Sequence, residues 1–138
     1  MTQAQDIMTA NPITCKERDS IIDAAEIMKK KNVGVVPIVD DYNRCRGIVT
    51  DRDLSVRILA ERRDPSTHLQ KIMSTNLVTC APEDDLSKVL RDMEGQQVKR
   101  VIVVNNKQEC VGIISEADII QRMKEPNKVV ELVENVYR

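Results

Sequence analysis

Two short segments carry residue types that could hold a polar ligand: Gly47-Ile48-Val49-Thr50-Asp51-Arg52-Asp53 and Gly112-Ile113-Ile114-Ser115-Glu116-Ala117-Asp118. Each puts a hydroxyl three residues before a carboxylate, at the end of an apolar run. If a strand ends and a helix begins there, the first-turn N–H groups are unpaired and partly positive. Such a helix entrance favours a phosphate or a hydroxyl-rich ligand. Gly47 and Gly112 leave room for close backbone approach. The same spacing also fits a capping box, in which the acidic side chain three residues on reaches back to the N–H of the capping Thr or Ser. Capping explains the spacing, but not the recurrence of strand, glycine and cap in both halves.

The elements that position these segments are duplicated too. From residue 47 to residue 112 is 65 positions, and at that offset Ile7-Met8 answers Ile72-Met73, Thr14-Cys15 answers Thr79-Cys80, Met28 answers Met93, and Cys45 answers Cys110. Two copies of one supersecondary unit are predicted to pack about a pseudo-twofold axis, each offering the same site. After Asp19-Ser20, the residues Ile21, Ala24, Ala25 and Met28 recur at helical spacing; Leu86, Val89, Leu90 and Met93 do the same after Asp84-Asp85. The β-branched runs at 35–39 and 101–104 read as strands covered on both faces. Pro37 lacks an N–H, so its strand must leave that position unpaired or face an edge there. Polar breaks at 40–44 and 105–109 turn the chain into the motif strands. A second helix follows each motif, marked by Leu54, Ile58 and Leu59 and by Ile119, Ile120 and Met123.

The expected class is α/β (α+β), two pseudo-symmetric β-α-β-β-α repeats packed through their sheets. Residues 1–64 form repeat 1 with its lead-in and 65–125 form repeat 2. Residues 126–138 form an amphipathic extension that caps the domain or joins an interface. The polar stretch 61–68 links the copies.

Composition narrows the function. The chain has 138 residues, no Phe or Trp, and only Tyr42 and Tyr137 as aromatics, so aliphatic side chains must build both core and pocket. A formal charge of −1 and the lack of stacking platforms argue against a nucleic-acid partner. The N-terminus lacks the basic start and apolar run of a secretory signal, and no apolar run approaches the ~20 residues of a membrane helix, so a cytoplasmic protein is expected. His68 is the single histidine and falls in the linker, and no H-E-x-x-H, Walker or G-x-G-x-x-G pattern occurs. Neither catalysis nor a bound metal is expected. Cys15, Cys45, Cys80 and Cys110 form no C-x-x-C pair and sit among apolar strand residues, which suits small core residues better than a redox switch.

In order, spacing and duplication the chain resembles the CBS domain family, named after cystathionine β-synthase. The features that match are Asp6-Ile7-Met8 and Lys71-Ile72-Met73, Thr14-Cys15 and Thr79-Cys80, Val33-Gly34-Val35-Val36-Pro37-Ile38, and the two Gly-h-h-[Thr/Ser]-x-x-Asp endings. The resemblance implies a stand-alone tandem pair, a Bateman module, that needs no cofactor. It implies regulatory binding of AMP, ADP or ATP, and after them S-adenosylmethionine or NAD, in clefts between the repeats. Asp53 and Asp118 would accept hydrogen bonds from ribose hydroxyls, with Thr50 and Ser115 near ribose or phosphate. Backbone near Thr14-Cys15 or Thr79-Cys80 would read the adenine edge. The Asp53 cleft would receive Lys99, Arg100 and Arg52 as phosphate ligands, and the Asp118 cleft would meet Gly34-Val35 instead, so phosphorylated ligands should prefer the former. The resemblance further implies a flat homodimer and energy sensing passed in trans to a protein partner. The alternatives are a ligand-free interaction scaffold and a cysteine-based redox sensor.

Overall fold

The computed structural model describes residues 2–122. The expected apolar extension at 126–138 and Met123 lie outside the described residues. Among the described residues there are five α-helices and two sheets of mixed α/β character, in two compact units.

The first unit comprises Pro12–Leu77 with Gln108–Cys110. It contains β2 (Cys15–Lys16), α2 (Ile21–Lys31), β3 (Val35–Val39), β4 (Cys45–Thr50) and α3 (Asp51–Asp53), which continues as a π-wound stretch over Leu54–Leu59. The sheet order is β2-β3-β4, with β2 parallel and β4 antiparallel to β3. Ser20 starts α2 by accepting from the Asp23 N–H while Asp23 caps the Ser20 N–H. Asn32 ends it in the left-handed conformation, φ 54°. The face of α2 that meets the core carries Ile21, Ala24, Ile27 and Met28. Ala25, expected on that face, is exposed instead, because the buried face is turned toward Ile27 and away from Ala25. Pro37 pairs with Ile48. Both polar groups of Ile48 turn away from β3, its N–H donating to Ser74 O (3.0 Å) and its C=O accepting from the Ser74 N–H (2.8 Å). The missing Pro37 N–H therefore points away from β4, toward a side where the β2 ladder begins only at Ile38.

The second unit comprises the residues up to Asn11, Val78–Lys107 and the residues from Val111. It contains α1 (Ala4–Ile7), β1 (Thr9–Ala10), β5 (Thr79–Cys80), α4 (Leu86–Gln96), β6 (Arg100–Val104), β7 (Cys110–Ser115, from Val111 on) and α5 (Glu116–Arg122). The sheet runs β1-β7-β6-β5. Its edge strand comes from the chain's start: Thr9 pairs with Ile113 and Ala10 with Gly112. Ala4 and Ile7 enter a core with Leu86, Val89, Met93, Val101, Val103, Ile114 and Ile119. The first unit repeats the device with Ser74 beside Ile48. The lead-in to each repeat therefore packs in the unit that carries the other repeat's strands.

Candidate functional site

Strand β4 ends at Thr50, whose extended backbone (φ −115°, ψ 165°) turns the chain into α3. Thr50 Oγ1 accepts from the Asp53 N–H at 3.1 Å, and Asp53 Oδ2 accepts from the Thr50 N–H at 2.9 Å. In the second unit Ser115 Oγ accepts from the Asp118 N–H at 3.0 Å and Asp118 Oδ2 accepts from the Ser115 N–H at 3.0 Å. Both motifs thus close as capping boxes, and each carboxylate commits one oxygen to its own backbone. An ionised carboxylate has about four lone-pair sites over two oxygens, so capping alone does not exhaust either group. Asp53 Oδ1 faces Arg57, whose Nε lies 3.9 Å away.

The glycines serve a different purpose from the one their spacing suggests. A Cβ on Gly47 would stand 2.7 Å from Met73 Sδ and 2.9 Å from the Ser74 carbonyl. A Cβ on Gly112 would overlap Met8 Sδ. The space beside each motif strand is filled by the methionine of a lead-in segment, not left open for a ligand's approach.

Within the first unit the motif turn gathers several of the expected residues. Val35 pairs with Thr50, the Asp51 N–H donates to the Gly34 carbonyl at 3.0 Å, and a Cβ on Gly34 would lie 3.2 Å from Asp51 Oδ2. The entrance at Gly34 therefore carries a carboxylate. Arg52 is exposed, its backbone N–H held by Asp51 Oδ1 at 2.8 Å. Thr14-Cys15 sits elsewhere in this unit, since Cys15 pairs with Ile38, three residues along β3 from Val35 and on its other edge. In the second unit the Glu116 N–H donates to the Lys99 carbonyl at 2.9 Å, bringing Lys99-Arg100 beside Ser115. Thr79 and Cys80 pair with Ile102 and Val103, again away from the motif turn. Arg100 is half-buried, and its Nε is buried with no hydrogen-bond partner among the described residues. Leaving such a donor unmatched costs about 1–3 kcal/mol, and more for a charged group.

Burial holds the thiols of Cys15, Cys45 and Cys80 protonated at neutral pH. Burial, with Asp19 and Asp23 nearby, pushes the Cys15 thiol up to about 11. Burial, with the Cys110 side chain nearby, pushes Cys45 to about 11. Burial, opposed in part by Lys88, pushes Cys80 to about 12. His68 is exposed in the linker. Among the described residues no three His, Cys, Asp or Glu side chains converge on a metal-sized site, and no helix is long and apolar enough to cross a membrane.

Two residues near the motif escaped the sequence reading: Asp51, which faces Gly34, and Arg57, which faces Asp53. Arg57 had a legible signal, an acid-base pair four residues apart on a helix.

A family model for the CBS domain matches the chain twice, at residues 4–60 and 69–125. The protein belongs to the CBS domain family. This CBS-domain pair is 34% identical over 119 residues to the CBS domain-containing protein YhcV of Bacillus subtilis, covering 86% of this chain and 84% of the relative. It is 32% identical over 137 residues to Hypoxic response protein 1 of Mycobacterium tuberculosis, covering 99% and 94%. A crystal structure of Hypoxic Response Protein I with two coordinated zinc ions superposes with a TM-score of 0.78 at 32% identity, over 88% of this chain and 99% of that one. The CBS-domain pair of protein MJ0100, crystallised with 5′-methylthioadenosine and S-adenosyl-L-methionine, superposes with a TM-score of 0.81 at 30% identity, over 90% and 97%.

Proposed function

We propose that this CBS-domain pair is a regulatory module that binds an adenosine-containing ligand and passes its occupancy to a protein partner. In this reading Asp53 and Asp118 receive ribose hydroxyls on the oxygen left over from capping, with Thr50 and Ser115 close to ribose or phosphate. Backbone around Thr14-Cys15 and Thr79-Cys80 meets the base. Lys99, Arg100 and Arg52 meet phosphate where the ligand has one.

One observation carries the proposal: the Nε of Arg100, buried next to the Ser115 turn with no partner among the described residues. A guanidinium in that condition is stabilised by an anion, and its planar fork suits phosphate oxygens. The MJ0100 pair adds support, because both of its ligands contain adenosine. AMP, ADP and ATP share that moiety and add phosphate for Arg100; S-adenosylmethionine and NAD are the next candidates. By contrast, the carboxylate of Asp51 at Gly34 disfavours a phosphate there and leaves the Gly34-Val35 entrance to a neutral or cationic group. Exposed Val56 and Leu59 on the first unit and Ile120 on the second give apolar surface for a second copy of the chain.

The test is a thermal-shift series with AMP, ADP, ATP, S-adenosylmethionine and NAD, followed by calorimetry. A ligand that binds only the folded state raises its stability by mass action. Loss of a hydrogen-bonded carboxylate costs ~1.5–3 kcal/mol, so Asp53→Ala should weaken binding roughly ten- to hundredfold, and Arg100→Ala should weaken phosphorylated ligands selectively. The closed capping boxes favour one competitor, a ligand-free scaffold, which requires that no member of the series shift the protein. The redox alternative finds no support in thiols held protonated by burial.

A further inference from the structure

The side chain of Arg57 connects the motif to a distant stretch of chain. Its Nε lies 3.9 Å from Asp53 Oδ1, and its Nη1 donates to the Ile72 carbonyl at 2.8 Å. Ile72 ends the short 3-10 turn Leu69–Lys71, a position where carbonyls lack helical partners and accept readily from a basic side chain. The Ile72 side chain is 1% exposed within the first unit's core, so this carbonyl is a fixed point. Two residues on, Ser74 pairs with Ile48 of β4. Arg57 itself lies in the π-wound Leu54–Leu59 stretch, a helical irregularity that recurs at functional sites.

Asp53 has one oxygen immobilised by the Thr50 N–H. Rotation about its last side-chain bond is thereby restricted, and Oδ1 is the acceptor left for a ligand. At 3.9 Å the Arg57 charge attracts Oδ1 without taking it up in a short hydrogen bond. An arginine moored to the Ile72 carbonyl can do both at once because its nitrogens are spread over a rigid plane.

We propose that Arg57 is a positioning residue: it holds Asp53 Oδ1 in the ribose-accepting orientation and links occupancy of Asp53 to the Leu69–Ser74 segment strapped along β4. The inference rests on the reading of Asp53 as a ribose anchor. It deepens that reading by naming the element through which binding is felt elsewhere in the unit.

The experiment measures AMP and S-adenosylmethionine affinity by calorimetry for the full chain, Arg57→Ala, Arg57→Lys, Asp53→Asn and the Arg57→Ala/Asp53→Asn double variant. Amide exchange over Leu69–Ser74 is followed with and without ligand. Arg57→Ala should weaken binding about three- to tenfold, with partial recovery in Arg57→Lys, which keeps a charge but not the two-point mooring. In the Asp53→Asn background the same change should cost less than about twofold, since residues acting through one another are not additive. Ligand should slow exchange at Leu69–Ser74 in the parent and not in Arg57→Ala. Equal losses in both backgrounds, or lower stability with unchanged affinity, would reduce Arg57 to a structural tie and overturn the inference alone. If neither probe binds the parent chain, the ribose-anchor reading falls and this inference with it.

Discussion

Asp53 and Asp118 each perform two tasks with two oxygens. Oδ2 closes the capping box in both units, so the spacing that suggested a ligand site is met first by local backbone. Asp53 Oδ1 is held toward Arg57. The cysteines give a separate prediction at this scale. Folded Cys15 and Cys45 ionise near 11 and Cys80 near 12, whereas an unburied thiol ionises near 9.0. Between those values the unfolded chain loses protons that the folded chain retains. Stability is therefore undiminished below pH 9 and falls as pH rises toward 11. Guanidinium unfolding midpoints at pH 8, 9, 10 and 10.5 should decline over the last three points. A flat profile, together with rapid iodoacetamide labelling of the native protein at pH 8, would contradict the burial of these thiols.

Among the elements, the motif strands are built around what crosses them. Gly47 and Gly112 lie where Met73 and Met8 pass over β4 and β7, and a side chain there has nowhere to go. Overpacking a fitted contact costs typically 1–3 kcal/mol. Gly47→Ala should lose about that much in chemical denaturation. Adding Met73→Ala should return part of the loss, because the flexible thioether is removed while the Ser74 carbonyl, 2.9 Å from the new Cβ, remains. Full recovery, or no initial loss, would show that the strap moves freely and that the glycine has some other purpose. The same strap carries the Ile72 carbonyl that moors Arg57, so the packing of one element and the aim of the candidate site share a single segment.

At the level of the whole molecule, each unit completes its sheet with a lead-in that the repeat order assigns to the other copy. The second unit depends on residues 2–11: Ala4 is fully buried and Ile7 is 9% exposed, β1 pairs with β7, and the Leu86 N–H at the start of α4 donates to the Thr2 carbonyl at 3.0 Å. A chain beginning at Pro12 should lose amide-exchange protection in Gly112–Ser115 and the first turn of α4. Val36, Ile38 and Val39, whose unit keeps its own strap at Ser74, should stay protected. Uniform loss across both sheets would mean that the units unfold as one, and unchanged protection would mean that β1 contributes nothing to β7.

Much of this was legible in the chain because it is encoded over short distances. The β-branched strands and the Ser20, Thr50 and Ser115 caps each depend on neighbours within a turn or a strand, those contacts form as the spacing dictates, and the 65-residue recurrence repeats the same local pattern in the second copy. Ala25 is exposed because periodicity marks a face but not its centre, and the buried face is turned toward Ile27. Partner choice needed the tertiary structure. Residues 8–10 have the same local pattern whichever copy they flank, and only the fold assigns them to β7. A glycine records that a side chain is missing, not which methionine fills the gap. The Arg57 contact to Ile72 joins residues 15 apart, and no helical or strand period connects them; it exists because the core fixes Ile72 where that guanidinium reaches.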